Sequence, residues 1–352
     1  MWFGCGESVA GKSKQTGDRN GTILKDRMKA LAFDAFGDAG VLLYREIDEP
    51  VLGVGQVLIR MKAIGLNFAD IYRRRGNYHL VGEPPYILGY EGAGVIAAIN
   101  AEGEATRYKV GDRVAFADSP HANAEYVAVP LDRLIPLPED ISFETAAAIL
   151  LQGLTAQYLL RDSHRLAKGE SVLVHAAAGG VGLYLTQLAK SEGAFVVGLV
   201  STESKRQAAL EAGADLVVLS GSDWVDLARA ATPGGRGFDV VYDSVGSTLR
   251  ESLRAARTGG HVVFYGMSGG DPEPVDPRLL MDESKSLTGG DLWNVLTSAE
   301  ERIARSQRLF AMVREGKLKV QVAKSFALRD GAAAHRFLES RQAIGKVLLI
   351  PD

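Results

Sequence analysis

The chain has 352 residues, 46% of them hydrophobic and 24% charged, with a formal net charge of −3. That length suits two domains rather than one core, the composition is that of a globular protein, and a near-neutral balance with no basic stripe excludes nucleic acid as a partner. No apolar run reaches the ~18 residues of a membrane span, and the one cysteine, Cys5, allows neither an intrachain disulfide nor a Cys₄ zinc site.

Residues 1–27 read as a loose, disordered tail. Met1-Trp2-Phe3-Gly4-Cys5 lacks the basic start and long apolar core of a secretory signal, so a cytoplasmic protein is expected, with Met28 as a candidate functional start. Gly6-Glu7-Ser8-Val9-Ala10-Gly11-Lys12-Ser13 matches the Gly-x-x-x-x-Gly-Lys-Ser phosphate loop. A working loop needs a buried strand before it and an amphipathic helix after it. Only five residues precede this one, and a polar, glycine-broken stretch follows, so the match is read as chance.

From Met28 to about residue 150 the pattern predicts short strands at Met28–Phe33, Gln56–Ala63, Gly94–Ile99, Asp112–Ala117 and Ala124–Val129. Glu83-Pro84-Pro85 and Pro136-Leu137-Pro138 punctuate them. Near Ser142 the texture changes. Ser142-Phe143-Glu144-Thr145 opens an alanine-rich helix with a loose capping arrangement, and Leu154–Leu160 reads as a further helix. Strands at Val172–Val174, Phe195–Val200, Leu216–Leu219, Val240–Tyr242 and Val262–Tyr265 then alternate with helices. Such alternation implies a parallel sheet with helices on both faces.

The turn after the first of these strands is the most informative. Val174-His175-Ala176-Ala177-Ala178-Gly179-Gly180-Val181-Gly182 lies between Ser171–Val174 and a helix from Val181 to Glu192, whose Leu183, Leu185, Leu188 and Ala189 recur near helical spacing. A phosphate needs close backbone and free N–H groups at a helix N-terminus, and a Cβ there would hold it off. Ala178, Gly179, Gly180, Val181 and Gly182 are therefore candidate diphosphate binders. A plain strand–turn–helix whose glycines only allow packing is the alternative; the strand Phe195–Val200 that follows completes a dinucleotide-type β-α-β unit. That second strand ends in Ser201-Thr202-Glu203-Ser204-Lys205-Arg206. NAD sites place an acid there for the ribose hydroxyl; small hydroxyls with two cations suit a 2′-phosphate instead. Ser201 and Lys205 are the candidates, Arg206 offers a fork, and Glu203 is read as pointing to solvent. A solvated first helical turn is the alternative, although cations at a helix start oppose its dipole. After about Leu292 a helix at Ser298–Arg314 and strands at Lys317–Ala323 and Lys346–Leu349 complete the first domain.

Ala63–Asp70, Gly89-Tyr90-Glu91-Gly92-Ala93-Gly94, Lys109–Val114, His175–Gly182 and Val241–Gly246 together resemble the medium-chain dehydrogenase/reductase superfamily. Within it the chain is similar to the zinc-free NADPH:quinone oxidoreductases related to zeta-crystallin, over nearly its whole length from Met28. The resemblance implies an α/β fold: a Rossmann doubly wound parallel sheet at 154–291 that binds NADP, plus a GroES-like β-rich domain at 28–153 and 292–352. Zinc-using members carry Cys where Asn67 stands and His where Tyr90 stands. The six histidines are scattered with none in a His-x-x-x-His pair, so no metal is expected. Without a Lewis acid the substrate must already be electrophilic, as a quinone or an enone is.

The same resemblance assigns residues. Asn67 and Tyr72 are polar contacts beside the nicotinamide and substrate, Tyr78 walls the substrate pocket, and Asp70 orients the loop. Thr155 and Tyr158 face the cofactor, while Tyr265, Gly266 and Ser268 lie toward its nicotinamide end. Arg341 reaches the 2′-phosphate, and His175 is a satisfied core histidine. Two departures stand out: Ser220 occupies a place where relatives often carry tyrosine, and Gly289-Gly290-Asp291-Leu292-Trp293 replaces an arginine-proline segment of quinone reductases. The expected activity is NADPH-dependent, zinc-free hydride transfer to a quinone by a homodimer joined through Rossmann sheet edges. An alkenal or enone double-bond reductase is one alternative; a non-catalytic, crystallin-like NADPH-binding protein is another.

Overall fold

The computed structural model describes residues 27–102, 106–221 and 223–352. Cys5, the phosphate-loop match and nearly all of the expected tail lie outside the described residues. The first half runs β1 (Arg27–Phe33), β2 (Leu43–Asp48), β3 (Gln56–Leu66), α1 (Phe68–Arg74), β4 (Tyr86–Ile87), β5 (Gly92–Asn100), β6 (Arg113–Phe116), β7 (Tyr126–Pro130), β8 (Ile135–Pro136) and α2 (Phe143–Tyr158). Next come β9 (Ser171–His175), α3 (Gly180–Ser191), β10 (Phe195–Val200), α4 (Glu203–Glu211), β11 (Leu216–Leu219), α5 (Trp224–Ala230), β12 (Phe238–Asp243), α6 (Leu249–Ala255) and β13 (Ala256–Phe264). The chain closes with α7 (Pro277–Asp282), β14 (Ser286–Gly289), α8 (Ala299–Arg314), β15 (Val322–Ala327), α9 (Gly331–Glu339) and β16 (Lys346–Ile350).

The unbroken apolar runs form the centre of a six-stranded parallel sheet, ordered β11-β10-β9-β12-β13-β14. β9 and β12 are buried along their whole lengths, as strands covered on both faces are. Strand order reverses between β9 and β12. The loops leaving their C-terminal ends part there, which is where Rossmann sheets hold ligands. A second sheet, β15-β16-β3-β5-β6-β8 with β7 also on β3, is antiparallel except for β15 with β16. Strands β2-β1-β4 form a small third sheet.

Helix α2 ties the two larger sheets together. It packs on α3, β3 and β5 and is buried almost all round from Ala146 to Tyr158, the signature of an interior helix. It is continuous, where two helices were expected. Gly153 is accommodated in its interior, beside the Leu309 side chain of α8. The strand expected at Lys317–Ala323 lies later, at Val322–Ala327. The Gln187 side-chain amide takes both the N–H and the C=O of Lys319, holding that stretch to α3 rather than to a ladder. Strand β2 was not anticipated; its pattern is half-exposed. Among the described residues no helix is long and apolar enough to cross a membrane.

Candidate active site

The turn after β9 supplies a cradle. Ala176 adopts φ +48°, and the first helical bond of α3 runs from Leu183 N–H to Gly179 C=O. The N–H groups of Gly180, Val181 and Gly182 therefore precede the intrahelical ladder. A Cβ on Gly182 would collide with the Ala176 carbonyl oxygen, and one on Gly180 with the Gln152 carboxamide. Gly345 N–H donates to Ala178 C=O, pinning the cradle to the start of β16.

A cavity of about 230 Å³ runs from this cradle past the end of β10. Ala178, Gly179, Gly180, Ser201, Lys205, Ser220, Ser268 and Arg341 line it. Lys205 Nζ donates to Ser201 Oγ at 3.2 Å. Burial, then the nearby Arg341 charge, lowers the Lys205 pKa. Arg341 sits at φ +58° and donates to the Ser268 carbonyl at 2.8 Å. Arg206 does not join them. Its guanidinium is held by the Glu203 carboxylate at 2.6 Å and the Val217 carbonyl at 2.5 Å, so the expected fork is spent within α4 and β11. Glu203 is largely exposed, as expected, but faces Arg206. Trp224 and Thr248 also line the cavity; sequence reading missed both, since nothing local separates them from core. His175 is buried against Ser252 Oγ at 2.9 Å, and burial lowers its pKa. It is a neutral, bonded core histidine with one edge on the cavity.

An adjoining cavity of about 200 Å³ shares Asn67, Gln152, Gly179, Gly180 and Ser268 with the first. Tyr72, Thr155, Val181, Gly182, Tyr265 and Gly266 are also among the residues that line it. The Tyr72 hydroxyl accepts the Met267 N–H at 3.2 Å, leaving its own hydrogen for the cleft. Burial pushes this phenol up to about 12. Thr155 Oγ1 donates back to the Leu151 carbonyl. The cleft ends in a third cavity lined by Tyr72, Tyr78, Tyr265, Gly266 and Asp291 among others. There the Tyr78 hydroxyl donates to Asp291 Oδ2 at 2.8 Å, and burial followed by that bond raises its phenol to about 12. Behind Tyr78, the buried Arg73 guanidinium stacks 3.7 Å over the Tyr90 ring.

Tyr158 is the exception among the expected site residues. It is 2% exposed and packs beneath Gly290, whose missing side chain makes room for the ring. It lines none of the three cavities: as the last residue of α2 its ring packs into the hydrophobic core.

Asn67 is fixed by a buried network that sequence reading did not foresee. β16 pairs with β3 so that Val347 faces Leu66, which brings Lys346 alongside Asn67. β3 pairs with β5 at Ile64 and Gly92, which brings up Glu91. Lys346 Nζ lies 2.5 Å from Glu91 Oε2 and 2.9 Å from Asn67 Oδ1. Asn67 Oδ1 also accepts from Gln152 Nε2 at 3.2 Å, while Nδ2 donates to Glu91 Oε2 and the Gly65 carbonyl. Both lone-pair positions and both hydrogens of the Asn67 amide are thus used inside the protein. The amide so anchored lines both inner cavities. Glu91 Oε1 takes the Leu151 N–H from within α2. Gly65 must be glycine, because a Cβ would strike the Glu91 carboxylate. The one sequence signal was a lysine opening the apolar strand Val347-Leu348-Leu349. Asp70, also buried, accepts the N–H groups of Asn67 and Gly89, the loop-orienting part expected of it. Among the described residues no three His, Cys, Asp or Glu side chains gather as a metal-holding group.

Residues 53–171 match the alcohol dehydrogenase GroES-like domain model, and residues 180–304 the zinc-binding dehydrogenase model. A quinone oxidoreductase of Pseudomonas aeruginosa is 38% identical over 326 residues, covering 92% of this chain and 99% of that protein. A 2-haloacrylate reductase of a Burkholderia species is 39% identical over 319 residues, 88% of this chain and 95% of that one. The crystal structure of Escherichia coli quinone oxidoreductase complexed with NADPH matches with a TM-score of 0.87 at 37% identity, over 92% of this chain and 100% of that one. With this identity along nearly the whole length of those proteins, on a parallel Rossmann sheet beside an antiparallel GroES-like one, the chain belongs to the zeta-crystallin-like quinone oxidoreductases of the medium-chain dehydrogenase/reductase superfamily.

Proposed function

We propose that the chain is an NADPH-dependent oxidoreductase that reduces quinones. The observation that carries this reading is the pair Lys205 and Arg341. Two cations face one end of the cavity, and among the described residues neither is ion-paired. The position directly after β10 is Ser201 rather than an acid, and the nearby Glu203 carboxylate is taken by Arg206. Such a place suits a phosphate ester on the ribose better than a bare hydroxyl. The relative crystallised with NADPH supports the same cofactor.

Bound in the cleft, NADPH would supply hydride to an acceptor that is already electrophilic. This chain's residues do the rest. The N–H groups of 180–182 hold the diphosphate, and the anchored Asn67 and Gln152 form a fixed wall. Tyr72, protonated at neutral pH, donates a hydrogen bond to the acceptor oxygen as charge grows there. The overall change is hydride plus one proton added to a quinone, giving a hydroquinone.

The 39% identity to a 2-haloacrylate reductase favours a second reading, reduction of an activated double bond in the same cleft. Steady-state NADPH oxidation with benzoquinone, phenanthrenequinone and 2-alkenals separates the two. Turnover of the quinones is expected; turnover of alkenals alone contradicts the quinone reading.

A further inference from the structure

We propose that Asp291 selects acceptors by charge, so that the cleft takes neutral or cationic acceptors and turns away carboxylates. This rests on the NADPH-reductase reading, with the acceptor lying in the outer cavity against Tyr72 and Tyr78, whose rings meet edge-on with centroids 6.5 Å apart. The outer cavity there holds about 370 Å³. Asp291 is the one charged residue among those described that line it, the others being apolar, glycine, tyrosine or Asn294. The middle cavity is lined by no charged residue among those described.

The carboxylate is firmly placed. Oδ1 accepts the Trp293 N–H at 3.1 Å, capping the short turn at Leu292–Asn294, and Oδ2 accepts the Tyr78 hydroxyl at 2.8 Å. Two carboxylate oxygens offer about four acceptor positions, so two remain for a donor on the acceptor molecule. Among the described residues no cation lines the outer cavity to neutralise an incoming anion. Arg73 is sealed behind the Tyr78 and Tyr90 rings, donates to the His79 carbonyl and lies 3.7 Å from Asp70. Lys205 and Arg341 line the far cavity, where the phosphates of the cofactor claim them. An acceptor carboxylate would therefore meet the like charge of the half-exposed Asp291, a repulsion that added salt screens in part.

The test compares kcat/KM for 2-chloroacrylate and for its methyl ester with saturating NADPH, in the wild type and in Asp291→Asn. The two acceptors share a double bond and differ in charge; comparing enzymes cancels their intrinsic reactivity. Asn keeps an oxygen for the Trp293 N–H. The acid-to-ester ratio should rise about tenfold or more in Asp291→Asn, the scale of one like-charge repulsion across several ångströms. In the wild type alone that ratio should also climb with added salt, a readout that needs no variant. An unchanged ratio in the variant, or a salt-independent one in the wild type, overturns the proposal while leaving the reductase reading intact. Failure of the ester, the acid and every quinone alike overturns the reductase reading, and the proposal with it.

Discussion

Lys346 Nζ and Glu91 Oε2 stand 2.5 Å apart with both side chains fully buried, and the pair grips the Asn67 amide where it lines the two inner cavities of the cleft. Burial lowers the Lys346 pKa even though the Glu91 carboxylate works the other way. Desolvation of such a pair offsets much of its attraction, whereas removing one partner strands the other charge. Lys346→Met should therefore cost about 3–5 kcal/mol of folding stability. Lys346→Met with Glu91→Gln should be closer to wild type than Lys346→Met alone. Urea unfolding of the two variants checks this; a double variant no better than the single one would deny the coupling.

His335 makes stability depend on pH. Burial, reinforced by the Arg74 charge, depresses its pKa to about 3, and its Nδ1 lies 3.1 Å from the Arg74 guanidinium, from which it must accept. The unfolded chain binds a proton there below about 6.5, while the folded chain does not until about pH 3. The unfolded state thus holds more protons between those limits, so stability falls as pH is lowered through that window, by at most ~1.4 kcal/mol per pH unit from this group. His335→Gln, which keeps an acceptor for Arg74, should flatten the slope of unfolding free energy against pH. An unchanged slope would count against a neutral His335.

Lys205→Glu should weaken NADPH binding by about 10–100-fold, the worth of a charge-assisted hydrogen bond, with NADH little changed. Calorimetric titration with each cofactor reads this. Equal losses for both would remove Lys205 from the phosphate site.

Tyr72→Phe keeps the ring and deletes the hydroxyl that accepts from Met267 and faces the cleft. Loss of one preorganised donor should lower kcat about 10–1000-fold with NADPH affinity nearly unchanged. Loss of affinity with kcat intact would make Tyr72 a cofactor contact only.

The parallel sheet was legible because its strands are unbroken apolar runs between helices, and the glycine cradle because phosphates admit few side chains. Lys205 was legible from the end of β10, but Arg206 was not separable from it, since only the fold shows Glu203 and the Val217 carbonyl occupying that guanidinium. Tyr158 was expected at the cofactor on the family resemblance alone, and no pattern in the sequence shows that its ring turns into the core beneath Gly290. The Glu91–Lys346–Asn67 network escaped sequence reading for a different reason. Its members lie on strands distant along the chain, and their meeting follows from the register of β16 on β3 and of β3 on β5, which no local pattern encodes.

The most direct test of the account is kcat/KM for NADPH and for NADH with one quinone acceptor. Quinone-dependent oxidation favouring NADPH by about tenfold or more is predicted, the scale of one phosphate–cation contact. Equal use of the two cofactors would contradict the role of Lys205 and Arg341, and no quinone-dependent oxidation with either would contradict the assigned reaction.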